Sequence, residues 1–235
     1  MKDGFAELRH AVALANNAID EAHLVVQAFG NASEVDRDRD VFAIKPSGIP
    51  CRKVTADDIV VVAVDSGEIV WGDNRPSSDT PAHRVLYQGI ASVGGVVHTH
   101  SLFATAWAQA RRSIPCLGTT HADSFRGDVP VTRRLKADEI EGDYEANTGR
   151  VIVELFGPEG LHPLDVPGAL VASHGPFVWG STAGDAVDVA ASLELAAELA
   201  YRTLAIQPDR PEIESELLDR HFSRKHGPMA YYGQP

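Results

Sequence analysis

Two histidines stand one residue apart at the end of an apolar run, in the segment GGVVHTHS that covers residues 94–101. Successive side chains of a β-strand point to opposite faces, so His98 and His100 are expected to project from one face with Thr99 between them. Two adjacent imidazoles can chelate one metal ion. The alternative is a histidine hydrogen-bonded in the core beside a solvent-exposed one, and the pair by itself does not exclude it.

A third histidine, His174 in ASHGPF, stands at a predicted strand break. If the fold brings it beside His98 and His100, the chain has three imidazole ligands and an open position, which is the arrangement of catalytic zinc. Such an ion acts as a Lewis acid on a substrate oxygen. A structural histidine in a turn is the alternative for His174 alone.

Two hydroxyls and a carboxylate occupy a predicted helix start in RPSSDT, residues 75–80. Unpaired backbone N–H groups and the helix dipole favour an anion at such a place, so Ser77 and Ser78 could bind phosphate. Plain helix capping by Ser78 or Asp79 is the alternative, and Asp79 could also reach the metal. The turns FGNAS and KPSG contain small residues whose backbone N–H groups can cradle a phosphate, although ordinary turns use the same residues.

A further carboxylate lies in GTTHADSF, residues 118–125, which has little helical or strand pattern and is predicted to be a polar loop. Asp123 could act there as a general acid or base if the loop lies near the metal site. The C-terminal segment RKHGPMAYYGQP would ordinarily be a frayed terminus, but it carries two adjacent tyrosines.

The elements that must position these residues are predicted from hydrophobic periodicity and turn signals. Helices are predicted from the N-terminus to about Val26, from near Pro81 in SSDTPAHRVLYQGI, and in AGDAVDVAASLELAAELAYRTLAI. Strands are predicted in DVFAIKPSG, in the hairpin DDIVVVAVDSGEIVWG, before His98, in RVIVELF, and in GALVASHGPFVWG with a break at His174. Hairpin-linked strands mixed with helices predict an α/β sandwich whose central sheet is at least partly antiparallel.

The composition excludes several classes of protein. A formal net charge of -12 argues against a nonspecific nucleic-acid partner or an anionic membrane surface. No segment approaches the roughly 20 apolar residues that a membrane span requires. The N-terminus lacks the uninterrupted apolar region of a signal peptide, and two cysteines, Cys51 and Cys116, give no disulfide framework. We therefore expect a reduced, cytoplasmic protein without a linker between domains.

Six segments together closely resemble the L-ribulose-5-phosphate 4-epimerases of the class II aldolase superfamily, in the same order and nearly from end to end. They are GNASEVDRDRDVFAIKPSG, PSSDTPAHRVLYQ, GGVVHTHS, IPCLGTTHADSF, SHGPFVWG and RKHGPMAYYGQ. The resemblance implies a single domain over residues 1–235, folded as a three-layer α/β/α sandwich around a central, mostly antiparallel sheet. It also implies a cyclic homotetramer with active sites between subunits, where a neighbour supplies the C-terminal tyrosine.

The resemblance further implies a role for each candidate residue. Zinc, or another divalent ion such as Mn²⁺ or Co²⁺, would be held by Asp79, His98, His100 and His174. The phosphate and sugar contacts carried over are Gly30, Asn31, Ser47, Gly48, Ser77 and Ser78. Asp123 and Tyr232 carry over as the acid/base pair, and His221 is expected near them.

The implied reaction is epimerisation of L-ribulose 5-phosphate to D-xylulose 5-phosphate by retro-aldol cleavage between C3 and C4, rotation of glycolaldehyde phosphate, and recombination. A lyase similar to L-fuculose-phosphate aldolase is the nearest alternative, but those enzymes typically carry Glu where this chain has Asp79. An adducin-like interaction domain is a remote alternative because such domains lack the metal histidines. Cys51 departs from the Tyr that some relatives carry after KPSGIP.

Overall fold

The computed structural model describes residues 4–25, 27–157, 160–226 and 230–232. Its strands are β1 (Asn31–Asp36), β2 (Val41–Ile44), β3 (Val60–Ala63), β4 (Ile69–Trp71), β5 (Gly95–His98), β6 (Gly168–Leu170) and β7 (Pro176–Gly180). Its helices are α1 (Ala6–Glu21), α2 (Thr80–Gly89), α3 (Leu102–Ala110), α4 (Thr119–Ala122), α5 (Ala137–Glu141), α6 (Tyr144–Val153), α7 (Ala183–Ile206) and α8 (Ser215–Lys225). Short 3₁₀ turns cover Cys51–Lys53 and Glu154–Phe156.

The strands form one sheet in the order β4-β3-β2-β1-β5-β7-β6, and all neighbouring strands in it are antiparallel. Side chains alternate between its two faces, so Val97 packs with α1, α3 and α7 while Val96 packs with α2 and α6. Helices therefore cover both faces of the sheet. The predicted α/β sandwich with a mostly antiparallel central sheet is confirmed.

Several predicted elements are present with adjusted boundaries. The N-terminal helix ends at Glu21, and Val26 lies outside the described residues. The hairpin around Asp65-Ser66-Gly67 joins β3 to β4, the helix with Pro81 at its start is α2, and the long apolar stripe is α7. The strand break at His174 separates β6 from β7.

The prediction of a strand in RVIVELF is wrong, because these residues end α6 and form the 3₁₀ turn after it. Val151 and Ile152 are both buried although they are adjacent, as a helix packed against α2 permits. A Cβ at Gly149 would lie 2.7 Å from the Ala82 carbonyl oxygen of α2, so glycine lets the two helices approach closely. Tertiary packing overrides the β preference of this apolar run.

Two polar segments also differ from expectation. GTTHADSF is not a simple loop, because α4 forms within it and buries His121 and Ala122. The residues after Gly30, expected as a turn, form the strand β1, which pairs with both β2 and β5. None of the helices in the described residues is long and apolar enough to cross a membrane.

Candidate metal centre and anion site

A cavity of about 170 Å³ opens where β1 begins and β5 ends, beside the turns that follow β2 and precede α2 and β7. All of the metal and substrate residues expected from the sequence line it, together with three that sequence reasoning did not single out. The lining residues are Ala28, Phe29, Gly30, Asn31, Lys45, Ser47, Gly48, Ser77, Ser78, Asp79, His98, His100 and His174. Residues far apart in the chain thus meet at one site.

The three histidines form a tight group in this cavity, with one potential ligand atom from each lying within 4.8 Å of the others. His98 is the last residue of β5, so the expected strand alternation does not extend to His100, which follows the strand. The Nε2 atoms of His98 and His100 are nevertheless 3.2 Å apart. Two nitrogens bound tetrahedrally to one zinc ion at 2.0–2.1 Å lie about 3.3 Å apart, so this spacing fits a divalent metal.

Contacts behind the histidines fix their orientation. His98 Nδ1 is 2.9 Å from the carbonyl oxygen of Pro176, and its ring stacks on Phe177 at 4.1 Å. A donated hydrogen bond from Nδ1 leaves Nε2 unprotonated and directed at the cluster, as a metal requires. His174 Nδ1 lies 3.4 Å from the Tyr144 hydroxyl, which is the outer partner of that ring.

The electrostatics of the cluster favour neutral imidazoles. Burial lowers the pKa of His98 and of His100. Burial, together with the neighbouring His98 and His100, lowers the pKa of His174 to about 4. Because a metal binds the neutral ring, these histidines are in their ligating form at neutral pH.

Asp79 lies on the same cavity, at the N-cap position of α2. Asn31 Nδ2 donates a hydrogen bond to its Oδ2 at 2.6 Å. Burial acts to raise the pKa of Asp79, but His98, His83 and this hydrogen bond outweigh burial and lower it. The carboxylate therefore stays ionised beside the histidines, where it complements a cation.

Lys45 and the serine turn also line the cavity. The Ser77 backbone N–H donates to the Lys45 carbonyl at 3.0 Å, which holds the serine turn against the KPSG turn. The Lys45 side chain is only 2% exposed, and its Nζ reaches carbonyl oxygens only at 3.4 and 3.5 Å. Burial lowers the pKa of Lys45, against the opposing effects of Cys51 and Asp79. A buried, weakly partnered ammonium beside serine hydroxyls suits a phosphate.

Sequence reasoning missed Lys45 although it quoted the KPSG turn, because a lysine beside a turn is ordinarily solvated. Its signal is the position directly after the apolar run VFAI, whose four residues are all buried. The Oδ1 atom of Asn31 is another buried group on the cavity, and it has no hydrogen-bond partner among the described residues. It can accept a hydrogen bond from a ligand.

The expected acid/base pair lies elsewhere on the chain. Asp123 follows α4 and bonds to His221 Nδ1 at 3.0 Å and to Arg224 of α8. The Tyr232 ring lies against Arg224, with the guanidinium carbon 4.2 Å from the ring centroid. Neither Asp123 nor Tyr232 lines the histidine cavity of the same chain. The fold thus carries a cavity lined by the three histidines and a separate cluster of Asp123, His221, Arg224 and Tyr232.

Residues 10–201 match the family described as Class II Aldolase and Adducin N-terminal domain. The chain is similar to a solved L-fuculose 1-phosphate aldolase, with 22% identity, a TM-score of 0.77, and coverage of 93% of this chain and 96% of that chain. YgbL from Klebsiella pneumoniae, a candidate aldolase, epimerase or decarboxylase, has 23% identity and a TM-score of 0.71, with coverage of 91% and 97%. L-fuculose-1-phosphate aldolase from Thermus thermophilus has 20% identity and a TM-score of 0.67, with coverage of 88% and 100%. These likenesses establish the fold.

Proposed function

The chain belongs to the class II aldolase and adducin family, and we propose that it is a divalent-metal-dependent epimerase that interconverts L-ribulose 5-phosphate and D-xylulose 5-phosphate. The observation that carries the proposal is the joining, in one cavity, of three metal-fitting histidines and turns suited to phosphate. One end of that cavity would hold the sugar carbonyl and the other the phosphate. The enzyme is proposed to work in the cytoplasm on this small sugar phosphate.

The phosphate would be bound by the two turns that meet at the cavity. Backbone N–H groups at Gly30 and Gly48 and the hydroxyls of Ser47, Ser77 and Ser78 would supply donors, while Lys45 would supply the buried positive charge. Holding the phosphate keeps the aldehyde fragment in place after the bond between C3 and C4 breaks. The unpartnered Oδ1 of Asn31 can accept a hydrogen bond from a substrate hydroxyl and orient the sugar.

The metal is proposed to be zinc, with Mn²⁺ or Co²⁺ as substitutes, held by His98, His100 and His174 with Asp79 beside them. When bound, such a cation supplies Lewis-acid stabilisation of the negative charge that develops on the carbonyl oxygen during cleavage. The three imidazoles are neutral donors, so most of the positive charge of the ion remains available to the substrate. Asp79 offsets part of that charge and holds Asn31 in place through its hydrogen bond.

Asp79 is also the reason for proposing epimerisation rather than aldol cleavage. An aldolase must protonate the carbon of the enediolate fragment before it leaves, whereas an epimerase must leave that carbon unprotonated until the aldehyde has rotated and recombined. Asp79 is the one carboxylate among the described residues that line the cavity. Its lowered pKa and its hydrogen bond to Asn31 keep it ionised, so it is a poor proton donor to carbon.

Proton transfer at the C4 oxygen requires a base on one side of the substrate and an acid on the other. Asp123 and Tyr232 are proposed for these roles, with His221 beside Asp123. Because their cluster lies outside the cavity of its own chain, we propose that it completes the cavity of a neighbouring subunit in a homotetramer. The base would take the C4 hydroxyl proton, and the acid would return a proton to the new C4 oxygen after rotation.

The proposed reaction can be tested with zinc-loaded protein and L-ribulose 5-phosphate in D₂O. We expect D-xylulose 5-phosphate without carbon-bound deuterium, because no carbon is protonated during epimerisation. Free dihydroxyacetone carrying deuterium as the main product would identify an aldolase instead. Absence of any product from metal-loaded protein would overturn this substrate assignment.

The shared site can be tested by mixing two inactive variants. His98→Asn removes a metal ligand, and Tyr232→Phe removes the acid/base hydroxyl, so mixed oligomers should contain some sites in which both groups are intact. Activity should return in verified mixed oligomers. Continued inactivity there would favour sites contained within one chain.

A further inference from the structure

Arg224, on the last turn of α8, joins the two proposed acid/base groups. Its Nε and Nη2 atoms donate to the two carboxylate oxygens of Asp123, at 2.9 and 2.6 Å. Its guanidinium carbon lies 4.2 Å from the centroid of the Tyr232 ring. Its carbonyl oxygen accepts the backbone N–H groups of Tyr231 and Tyr232, at 2.9 and 3.0 Å.

The geometry of these contacts is restrictive. A guanidinium is planar, so a two-point bond to a carboxylate fixes both the distance and the plane of the partner. The guanidinium also lies over the Tyr232 ring, which is a favourable cation–aromatic contact. The side chains of Asp123 and Arg224 are only 15% and 22% exposed, so water competes weakly for these contacts.

Two histidines also contact Asp123. His221 Nδ1 bonds to the same carboxylate at 3.0 Å, and His226 Nε2 lies 3.0 Å from the Asp123 backbone oxygen. Among the described residues, the contacts of these histidines reach Asp123 but not Tyr232. Arg224, in contrast, contacts both the carboxylate after α4 and the C-terminal segment.

We propose that Arg224 is a positioning residue that fixes the Asp123 carboxylate and the Tyr232 ring relative to one another, so that both reach the substrate as one unit. This inference rests on the proposed function, because it takes Asp123 and Tyr232 as the acid/base pair. Arg224 itself takes no part in proton transfer. Its carboxylate and ring contacts engage neither the Tyr232 hydroxyl nor the His221 Nε2.

Loss of this link has distinct kinetic consequences. The phosphate and metal contacts belong to other residues, so KM should remain nearly unchanged while kcat falls by about tenfold to 100-fold through misplacement of the acid/base groups. Burial acts to raise the pKa of Asp123, but the hydrogen bonds from Arg224 and His221 outweigh it and lower that pKa. Removing Arg224 should therefore move the acidic limb of the kcat profile to higher pH.

The test compares Arg224→Gln, Arg224→Lys and Arg220→Gln in the zinc-loaded full chain. Arg220 is exposed on the same helix, so its replacement matches the loss of one charge without touching Asp123. Lysine keeps the charge of Arg224 but cannot hold both carboxylate oxygens and cover the ring, so an intermediate kcat is expected. This variant also keeps the test open if Arg224→Gln fails to fold.

A second readout does not depend on activity. Protein labelled with 3-fluorotyrosine has five labelled positions, and the ¹⁹F signal lost in Tyr232→Phe belongs to Tyr232. That signal should shift and sharpen in Arg224→Gln but not in Arg220→Gln. A Tyr232 signal unchanged by Arg224→Gln, or a kcat and pH profile equal to those of Arg220→Gln, would overturn the proposal. Wild-type protein without epimerase activity would instead refute the proposed function, while the ¹⁹F comparison would still decide whether Arg224 holds Tyr232.

Discussion

Replacement of Lys45 by methionine tests whether the buried ammonium is the positive charge that holds the substrate phosphate. Methionine preserves much of the apolar stem and removes the charge. The Nζ atom has only distant carbonyl partners at 3.4 and 3.5 Å, so the folded protein loses little when it is removed. We therefore expect the thermal midpoint of Lys45→Met to equal or exceed that of the wild type, because a buried charge without a close partner is costly.

The expected effect on binding follows from the position of Lys45 on the cavity. A unit charge pair about 4 Å apart interacts by about 4 kcal/mol at an effective dielectric constant of 20. This is an upper bound, because measured hydrogen bonds to charged groups contribute about 1.5–3 kcal/mol net. We use the smaller energy of about 1.5–3 kcal/mol. It predicts a rise of about 10- to 100-fold in KM for L-ribulose 5-phosphate, with kcat within about threefold of the wild-type value.

The assay is steady-state formation of D-xylulose 5-phosphate, with metal content measured for each variant. Lys53→Met is the matched control, since Lys53 is an exposed lysine on the 3₁₀ turn Cys51–Lys53. Its KM should stay at the wild-type value. A KM for Lys45→Met equal to that of the control, in a folded protein with a full complement of metal, would refute the assignment of Lys45 to the phosphate.

Three further predictions concern the metal and the fold. His98→Asn should lose bound metal and activity together, and full activity in a metal-poor variant would exclude the histidine site. Gly48 has φ +79° with open space around a Cβ. Gly48→Ala should therefore lower the free energy of unfolding only by the strain of the left-handed backbone, about 1–2 kcal/mol, as measured by urea unfolding. Gly30→Ala should lower the free energy of unfolding by more than Gly48→Ala and should weaken zinc binding, because its Cβ would also lie 3.0 Å from the His98 carbonyl oxygen. Equal losses of unfolding free energy in the two variants would contradict this. Burial lowers the pKa of His83 to about 3, so between that pH and about pH 6.5 folded protein binds fewer protons than unfolded protein. Metal-free protein should therefore lose about 1.4 kcal/mol of stability from this residue for each unit by which the pH falls. A His83→Gln variant with the same dependence of stability on pH would disprove this.

The sequence predicted the layered architecture because most elements carry strong periodic patterns. The apolar stripe of α7 and the turn at Asp65-Ser66-Gly67 are local signals, and local signals are sufficient for such elements. β1 was not predicted because its sequence NASEVD is mostly polar, although the strand lies at the centre of the sheet. Its role follows from pairing with strands distant in sequence, which no local pattern records.

The candidate site was predictable where its residues come in short motifs. His98 and His100 were expected together, although the reason given, strand alternation, fails because β5 ends at His98. Lys45 and Arg224 were not expected, since their importance lies in burial and in contacts that only the folded chain creates. The residue types in the motifs therefore predicted the candidate metal ligands, while Lys45 and Arg224 were identified only from the folded structure.

The most direct test of the central claim is the metal dependence of epimerisation. L-Ribulose 5-phosphate would be incubated with wild-type protein as purified, after chelator treatment, and after zinc is restored, with His98→Asn as the control, and D-xylulose 5-phosphate would be measured against bound zinc. We predict that xylulose phosphate formation is lost with the metal, returns in proportion to zinc bound, and does not return in His98→Asn. Undiminished epimerisation by metal-free protein, or zinc-loaded protein that forms no xylulose phosphate, would contradict the account.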